Sequence, residues 1–242
     1  FSANADIRGG ITNPKIDLEQ NTIVTFNVLE QMRRSGVKNI VFASSAAVLG
    51  EPDIFPTPEY CAIPDQTSLY GASKMACESI ISAYCEGFGF KATVLRFVSL
   101  LGPRYPHGHV FDFVKSMLID QSQLTILGDG TQRKSYLHIS DCINAILLLH
   151  DAAENSSNFE VFNLGVSEYC TVHQSAEWIC NEMKVQPQFN FTGGDKGWFG
   201  DNPFVFLDNK KAVSKGWMPT FKIEASVRIT TNWLLKNKWI FK

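Results

Sequence analysis

VFASSAAVLGEPDIFPTPEYCAIPDQTSLYGASKMACE, spanning Val41 to Glu78, reads as a strand, a loop and a helix in that order. The short uninterrupted apolar run Ile40-Val41-Phe42-Ala43 predicts a buried strand over 39–45, of the kind found in parallel sheets covered on both faces. Pro52, Pro56, Pro58 and Pro64 then exclude regular structure over 50–67. From about Ser68 to Gly87 the apolar spacing turns helical, with Tyr70, Lys74, Cys77 and Ile81 on one face. Tyr70 and Lys74 are therefore one turn apart on the same side.

That pair has chemical meaning. An ammonium near a phenol favours the phenolate, and bringing a phenol from about 10 to near 7 takes roughly 3 units, or about 4 kcal/mol. Ser45, at the carboxyl end of the strand where α/β sheets present their ligands, would add a hydroxyl hydrogen bond. Serine, tyrosine and lysine so arranged suit removal of a proton from an alcohol whose hydride leaves to a nicotinamide. Taken alone, Y-x-x-x-K is a common coincidence, with the tyrosine an anchor and the lysine a solvated stem. The order strand, Ser-Ser, Pro-rich loop, helix gives it weight.

Composition narrows the field. The 242 residues are 45% hydrophobic and 19% charged, ordinary for a globular protein with one core or one core plus a small lobe. A net charge of −2 supplies no basic field for nucleic acid or an anionic membrane. No apolar run reaches the roughly 18 residues of a membrane span. The six cysteines show no C-x-x-C spacing and read as small core residues of a reduced, cytoplasmic protein. His107-x-His109 lacks a carboxylate cluster and reads as loop, so no metal site is expected.

Elsewhere, residues 17–35 read as a helix with Val24, Val28 and Met32 on its apolar face, Asn21 on the same side and Gly36 as its stop. Residues 92–97 read as a strand. Gly87-Phe88-Gly89-Phe90-Lys91-Ala92 fits a dinucleotide fingerprint by letter, but it leaves a helix and enters a strand, so it reads as a helix stop. From Ser99 to Lys134 the pattern loosens, as in a substrate-gripping excursion, with a helix through Phe113–Leu118. A helix from Asp141 through Leu149, a strand at 160–164, a helix at 172–183 and an aromatic-rich tail complete the chain.

With Leu95–Arg104 (LRFVSLLGPR), Gly128–Asp141 (GDGTQRKSYLHISD) and Phe162–Gly165 (FNLG), the 41–78 block resembles the extended short-chain dehydrogenases, specifically the NAD-dependent sugar-nucleotide epimerase/dehydratase family. The resemblance implies a doubly wound parallel α/β sheet of Rossmann type with a smaller substrate-binding lobe. It assigns 1–98 and 135–165 to the dinucleotide-binding domain, and 99–134 and 166–242 mainly to the lobe. It also implies that the opening strands and the Gly-rich fingerprint lie ahead of Phe1. Ser45, Tyr70, Lys74 and Asn21 would be catalytic. Phe1, Ser2, Ala3, Asn4, Ala5, Asn21, Ser44, Tyr70, Lys74 and Val98 would line NAD. Ser45, Tyr70, Ser99, His109, Val110, Ile126, Lys134 and Asp201 would meet a nucleotide-diphosphate sugar. The helices bearing Asn21 and Tyr70 would pair in a homodimer.

Departures from the family pattern carry information. Lys134 stands where an arginine grips the diphosphate, and a lysine loses the bidentate fork. Ser99 replaces an asparagine, Leu49 a tyrosine, and Gly197 a phosphate-binding arginine. Ala46-Ala47 after Ser45 offers no proton-transfer group, where the dehydratases carry Asp-Glu and the decarboxylases a Glu. The resemblance therefore favours epimerisation at C4 of a UDP-glucose/UDP-galactose type substrate through a transient 4-keto sugar. A same-family oxidoreductase or dehydratase, or a catalytically dead sugar-nucleotide binder, stands beside it.

Overall fold

The computed structural model describes residues 3–62, 65–153, 157–198 and 200–242. The chain forms two compact units: Phe1–Phe97 with Asn144–Leu164 and Leu207–Met218, and Val98–Ile143 with Gly165–Phe206 and Pro219–Lys242. Compared with the expected boundaries, 135–143 belongs to the second unit and 207–218 to the first. The reason for the second change is visible. Leu207 bridges Thr57, Asp208 N donates to the Thr57 carbonyl, and Lys211 Nζ donates to the Val161 carbonyl at 2.8 Å.

The first unit is built on a parallel sheet in which Lys91–Phe97 is flanked by Asn39–Ser45 and Phe159–Leu164. Asn39 pairs with Lys91 through to Ser45 with Phe97, and Ala92 with Phe159 through to Phe97 with Leu164. The central strand is buried from Ala92 to Arg96, as its apolar run requires. The Tyr70 helix (Leu69–Phe88) follows the irregular 50–67 segment. Ser68 caps it by accepting from Gly71 N at 3.0 Å, and Gly89, left-handed at φ 65°, ends it. This glycine stop is the role the G-x-G-x-x-A letters conceal.

Leu29, Ile81, Tyr84, Cys85, Phe90 and Ala92 form the core beneath that helix, with Met32, Ile40 and Phe42 packed against it. Each large apolar side chain so buried contributes about 1.5–3 kcal/mol.

The segment read as one helix over 17–35 departs from expectation. Lys15–Asp17 is a single turn, Leu18–Ile23 is a π-turn, and the regular helix is Val24–Ser35. The buried stripe runs through Asn21, Thr25 and Leu29. Of the expected Val24/Val28/Met32 face, Met32 packs against the core, Val24 is half-buried and Val28 is exposed.

In the second unit, Ser99–Leu101 pairs in parallel with Tyr136–His138, and Gln123–Ile126 with Gln188–Phe191. Arg133–Lys134 lies between Phe204–Val205 and Cys170–Thr171. The helices His109–Ile119, Val172–Met183 and Ile223–Lys236 pack on one another. Val172–Met183 opens with a capping box between Thr171 and Gln174.

Candidate functional site

Ser45 ends its strand in extended conformation, and its Oγ accepts from Ala47 N at 3.2 Å, which fixes the hydroxyl at the mouth of the turn Ala46–Leu49. The Tyr70 helix comes close to that turn because residue 71 is glycine. A Cβ there would lie 2.5 Å from the Ala47 carbonyl oxygen and 2.8 Å from Gln66 Oε1. That close approach sets the Tyr70 end of the helix beside the turn that follows Ser45. Tyr70 is 8% exposed and Lys74 4%. Lys74 Nζ donates to the Ala43 carbonyl at 3.0 Å and lies 5.0 Å from the Phe42 ring centroid and 5.9 Å from that of Tyr70. Half-buried Ser45 thus stands near buried Tyr70 and Lys74 in the first unit.

The electrostatics correct one expectation. Tyr70 lies above, not below, the ordinary phenol value. Burial dominates, the nearby Ser45 hydroxyl opposes it, and the charge of Asp17 reinforces it. Lys74 lies below the ordinary amine value, again because of burial. A buried ammonium has three N–H donors, and among the described residues it meets one neutral carbonyl and no carboxylate. Its remaining donors suit a polyhydroxyl ligand.

Asn21 is buried with its amide fully engaged. Oδ1 accepts from Asn4 N at 2.8 Å, and Nδ2 donates to Ser73 Oγ at 2.9 Å and to Asp17 Oδ1 at 3.3 Å. Its carbonyl accepts from Cys77 Sγ. Asn21 thereby ties the 3–6 segment to the Tyr70 helix. Asn4 joins the same network, and Ala3 and Ala5 are exposed. Phe1 and Ser2 lie outside the described residues.

The Ser44 hydroxyl is likewise committed, donating to Glu78 Oε1 at 2.5 Å. Glu78 is held by Arg96 at 3.0 and 2.7 Å, with side chains 5% and 6% exposed, and Arg96 also donates to the Glu59 carbonyl. Glu59 Oε1 accepts from Asn163 N, and Asn163 Nδ2 donates to the Thr57 carbonyl. The buried pair thereby fastens the strand carrying Ser45, the helix carrying Tyr70 and the loop between them. Sequence reasoning missed it, although a lone arginine in the apolar run ATVLRF and a glutamate four residues after Lys74 were its signals.

Val98, Ser99, His109, Val110, Ile126, Lys134 and Asp201 all belong to the second unit. Val98, Val110 and Ile126 are buried and Ser99 is exposed. Lys134, Asp201 and His109 have partners within the chain. The Lys134 ammonium pairs with Asp201 Oδ1 at 2.7 Å and donates to the Asn202 carbonyl, while Asp201 Oδ2 accepts from Gly197 N at 3.1 Å. Their charges cancel locally and pin the 197–202 turn. Both His109 nitrogens are occupied, Nδ1 with the Tyr136 hydroxyl at 3.1 Å and Nε2 with Ser175 Oγ at 2.7 Å. Burial and the charge of Lys134 push His109 down to about 3, so it is neutral. Arg133 instead stacks on Phe204, its guanidinium 3.7 Å from the ring centroid.

Comparison with known proteins agrees with this frame. A sequence model of the NAD dependent epimerase/dehydratase family matches residues 1–165. A solved UDP-galactose 4-epimerase is 32% identical, with a TM-score of 0.90 over 99% of this chain and 77% of that one. The Thermus thermophilus UDP-glucose 4-epimerase, solved in complex with NAD, is 26% identical with a TM-score of 0.83 over 97% and 76%. The Corynebacterium glutamicum UDP-glucose 4-epimerase is 29% identical over 235 residues, 90% of this chain and 70% of its own length. With a parallel sheet that ends at Ser45 and a Tyr70–Lys74 helix beside it, the chain belongs to the NAD dependent epimerase/dehydratase family.

Proposed function

We propose that this protein epimerises a nucleotide-diphosphate hexose at C4, of the UDP-glucose/UDP-galactose type, through a transient 4-keto sugar. The observation that carries the reading is the Tyr70 helix set against the turn that follows Ser45, with Lys74 one turn further along, buried and bonded to the Ala43 carbonyl. The relatives named above are 4-epimerases, and they support the same choice within the family. Ala46 and Ala47, both without ionisable groups, agree with a reaction that needs no further acid or base at the sugar.

In this reading Tyr70 takes the C4 hydroxyl proton and later returns it. Ser45 hydrogen-bonds the same sugar oxygen and fixes the distance over which the proton moves. Lys74, with N–H donors beyond the Ala43 bond, holds the ribose of the nicotinamide half of NAD. Bound NAD supplies a positively charged ring that accepts a hydride and gives it back. Asn21 holds the segment around Asn4 against the Tyr70 helix rather than meeting the ligand itself. Exposed Leu18, Phe26 and Val28 on the Asn21 segment, with Leu69 on the Tyr70 helix, support a homodimer through these helices. Six unpaired cysteines support a reducing, cytoplasmic setting.

The test is incubation of the full-length protein with UDP-glucose, and separately with UDP-galactose, followed by proton NMR of the anomeric region. Conversion of either sugar to a common equilibrium mixture, without stoichiometric NADH, is expected. Net accumulation of NADH indicates an oxidoreductase instead, and binding without conversion indicates an inert sugar-nucleotide binder. Either result refutes the proposal.

A further inference from the structure

Asp17 is a buried acid in the first unit that the chemistry above leaves unused. It is 1% exposed and ends the single turn Lys15–Asp17, just ahead of the π-turn. Its Oδ1 accepts from Asn4 Nδ2 at 2.8 Å and from Asn21 Nδ2 at 3.3 Å. Its Oδ2 is buried and has no hydrogen-bond partner among the described residues. That oxygen lies under Gly10, where a Cβ would come within 2.6 Å of it and 3.4 Å of Leu69 Cβ. The carboxylate therefore faces the first turn of the Tyr70 helix.

A buried carboxylate with part of its acceptor capacity unfilled is costly unless positive charge lies near. Lys74 has the complementary deficiency, a buried ammonium bonded to a neutral carbonyl. The two are joined through Asn21 and Ser73, the residue next to Lys74.

We propose that Asp17 is a positioning residue of this site: it supplies the counter-charge that keeps Lys74 an ammonium, and it holds Asn4 and Asn21 against the Tyr70 helix. The proposal rests on the reading of Tyr70 and Lys74 as the proton-handling pair. Its direction agrees with the titration behaviour, since burial lowers Lys74 while Cys77 and, after it, the charge of Asp17 work against that lowering. The other groups facing Lys74 do not replace it. Cys77 acts in the same direction but is itself raised by burial, hence a neutral thiol. Tyr70 is a raised, neutral phenol, and Glu78 is taken up by Arg96 and Ser44. From the strand side come the Ala43 carbonyl and the Phe42 ring, neither of which titrates.

The experiment is an NMR titration of Lys74 in the full-length protein labelled with carbon-13 at lysine Cε, the signal assigned by its loss in Lys74→Arg. Asp17→Asn keeps the shape and one acceptor while removing the charge. The Lys74 midpoint is expected to fall by about 1 pH unit, the scale of a single nearby opposite charge, and Asp17→Glu is expected to restore it. A midpoint in Asp17→Asn that matches the parent overturns the proposal. Where Asp17→Asn does not fold, Asp17→Ser removes the same charge with the same expectation, and an unmoved midpoint there overturns it equally. No turnover is measured, so a protein without epimerase activity refutes the proposed function while leaving this result independent.

Discussion

Replacing Glu78 by leucine strands the Arg96 guanidinium in a site where its side chain is 6% exposed, with Ser44 also losing its acceptor. Breaking a buried ion pair from one side costs about 3–5 kcal/mol, because the surviving charge has neither water nor partner. For a chain of this size 1 kcal/mol corresponds to about 2–4 °C in Tm, so a fall of roughly 6–20 °C is expected. The double variant Glu78→Leu/Arg96→Met removes both charges. It leaves only the Ser44 hydroxyl and the Glu59 carbonyl short of partners, at about 1–3 kcal/mol each. The assay is urea denaturation of the parent, the two singles and the double, closed as a thermodynamic cycle. The double is expected to lose clearly less than the singles summed. A double that loses the full sum would show that the two side chains do not act as a pair, and the account of how the Ser45 strand and Tyr70 helix are fastened would fail.

Tyr70→Phe removes the proton carrier while keeping the ring, so turnover is expected to fall by about 10²–10⁴-fold, the usual share of a general acid–base group. Steady-state kinetics by NMR checks this, and near-parent turnover refutes the role. Gly71→Ala places a methyl 2.5 Å from the Ala47 carbonyl oxygen and must push the helix from the Ser45 turn. A cost of about 1–3 kcal/mol, with turnover falling alongside, is expected from melting and kinetics together. His109 is held at about 3 in the fold against 6.5 when free. Between those values the unfolded chain binds a proton that the folded one refuses, so stability is full above pH 6.5 and falls as pH drops toward 3. At pH 5 the loss from this residue is about 2 kcal/mol. Denaturation at pH 7 and pH 5 should show His109→Gln with a visibly shallower dependence than the parent, and equal slopes would contradict the assignment.

What the sequence revealed is what local chemistry controls. The run IVFA, the cluster of prolines and the spacing Tyr70, Lys74, Cys77, Ile81 each constrain the backbone within a few residues. Their elements appear where the pattern put them, with Asn39–Ser45 and Leu69–Phe88 bounded as read to within a residue or two. Less legible is whatever a distant partner sets. Lys134 and Asp201, 67 residues apart in sequence, were each read as ligand contacts, and the fold joins them to one another. Asn21 was read toward a ligand, yet its amide is filled by Asn4, Asp17 and Ser73. Of the apolar stripe Val24/Val28/Met32, Met32 packs against the core while Val28 is exposed, because the helix buries Thr25 and Leu29 instead.

The inverted titration of Tyr70 shows why composition of a site does not settle its ionisation. Placing a lysine one turn away was expected to lower the phenol, but the ring centroid stands 5.9 Å from the ammonium, and the same burial that brings them together disfavours charge on either. Phenol up and amine down are both shifts toward the neutral forms. Low polarity, however, also magnifies whatever charge does enter, because Coulomb interactions strengthen as the effective dielectric falls. A site tuned this way holds its phenol protonated while empty of cationic ligand and becomes responsive once a cation is placed beside it. In the proposed reaction, ionisation of Tyr70 would therefore be favoured by a cationic ligand placed beside it and opposed by burial and by the charge of Asp17.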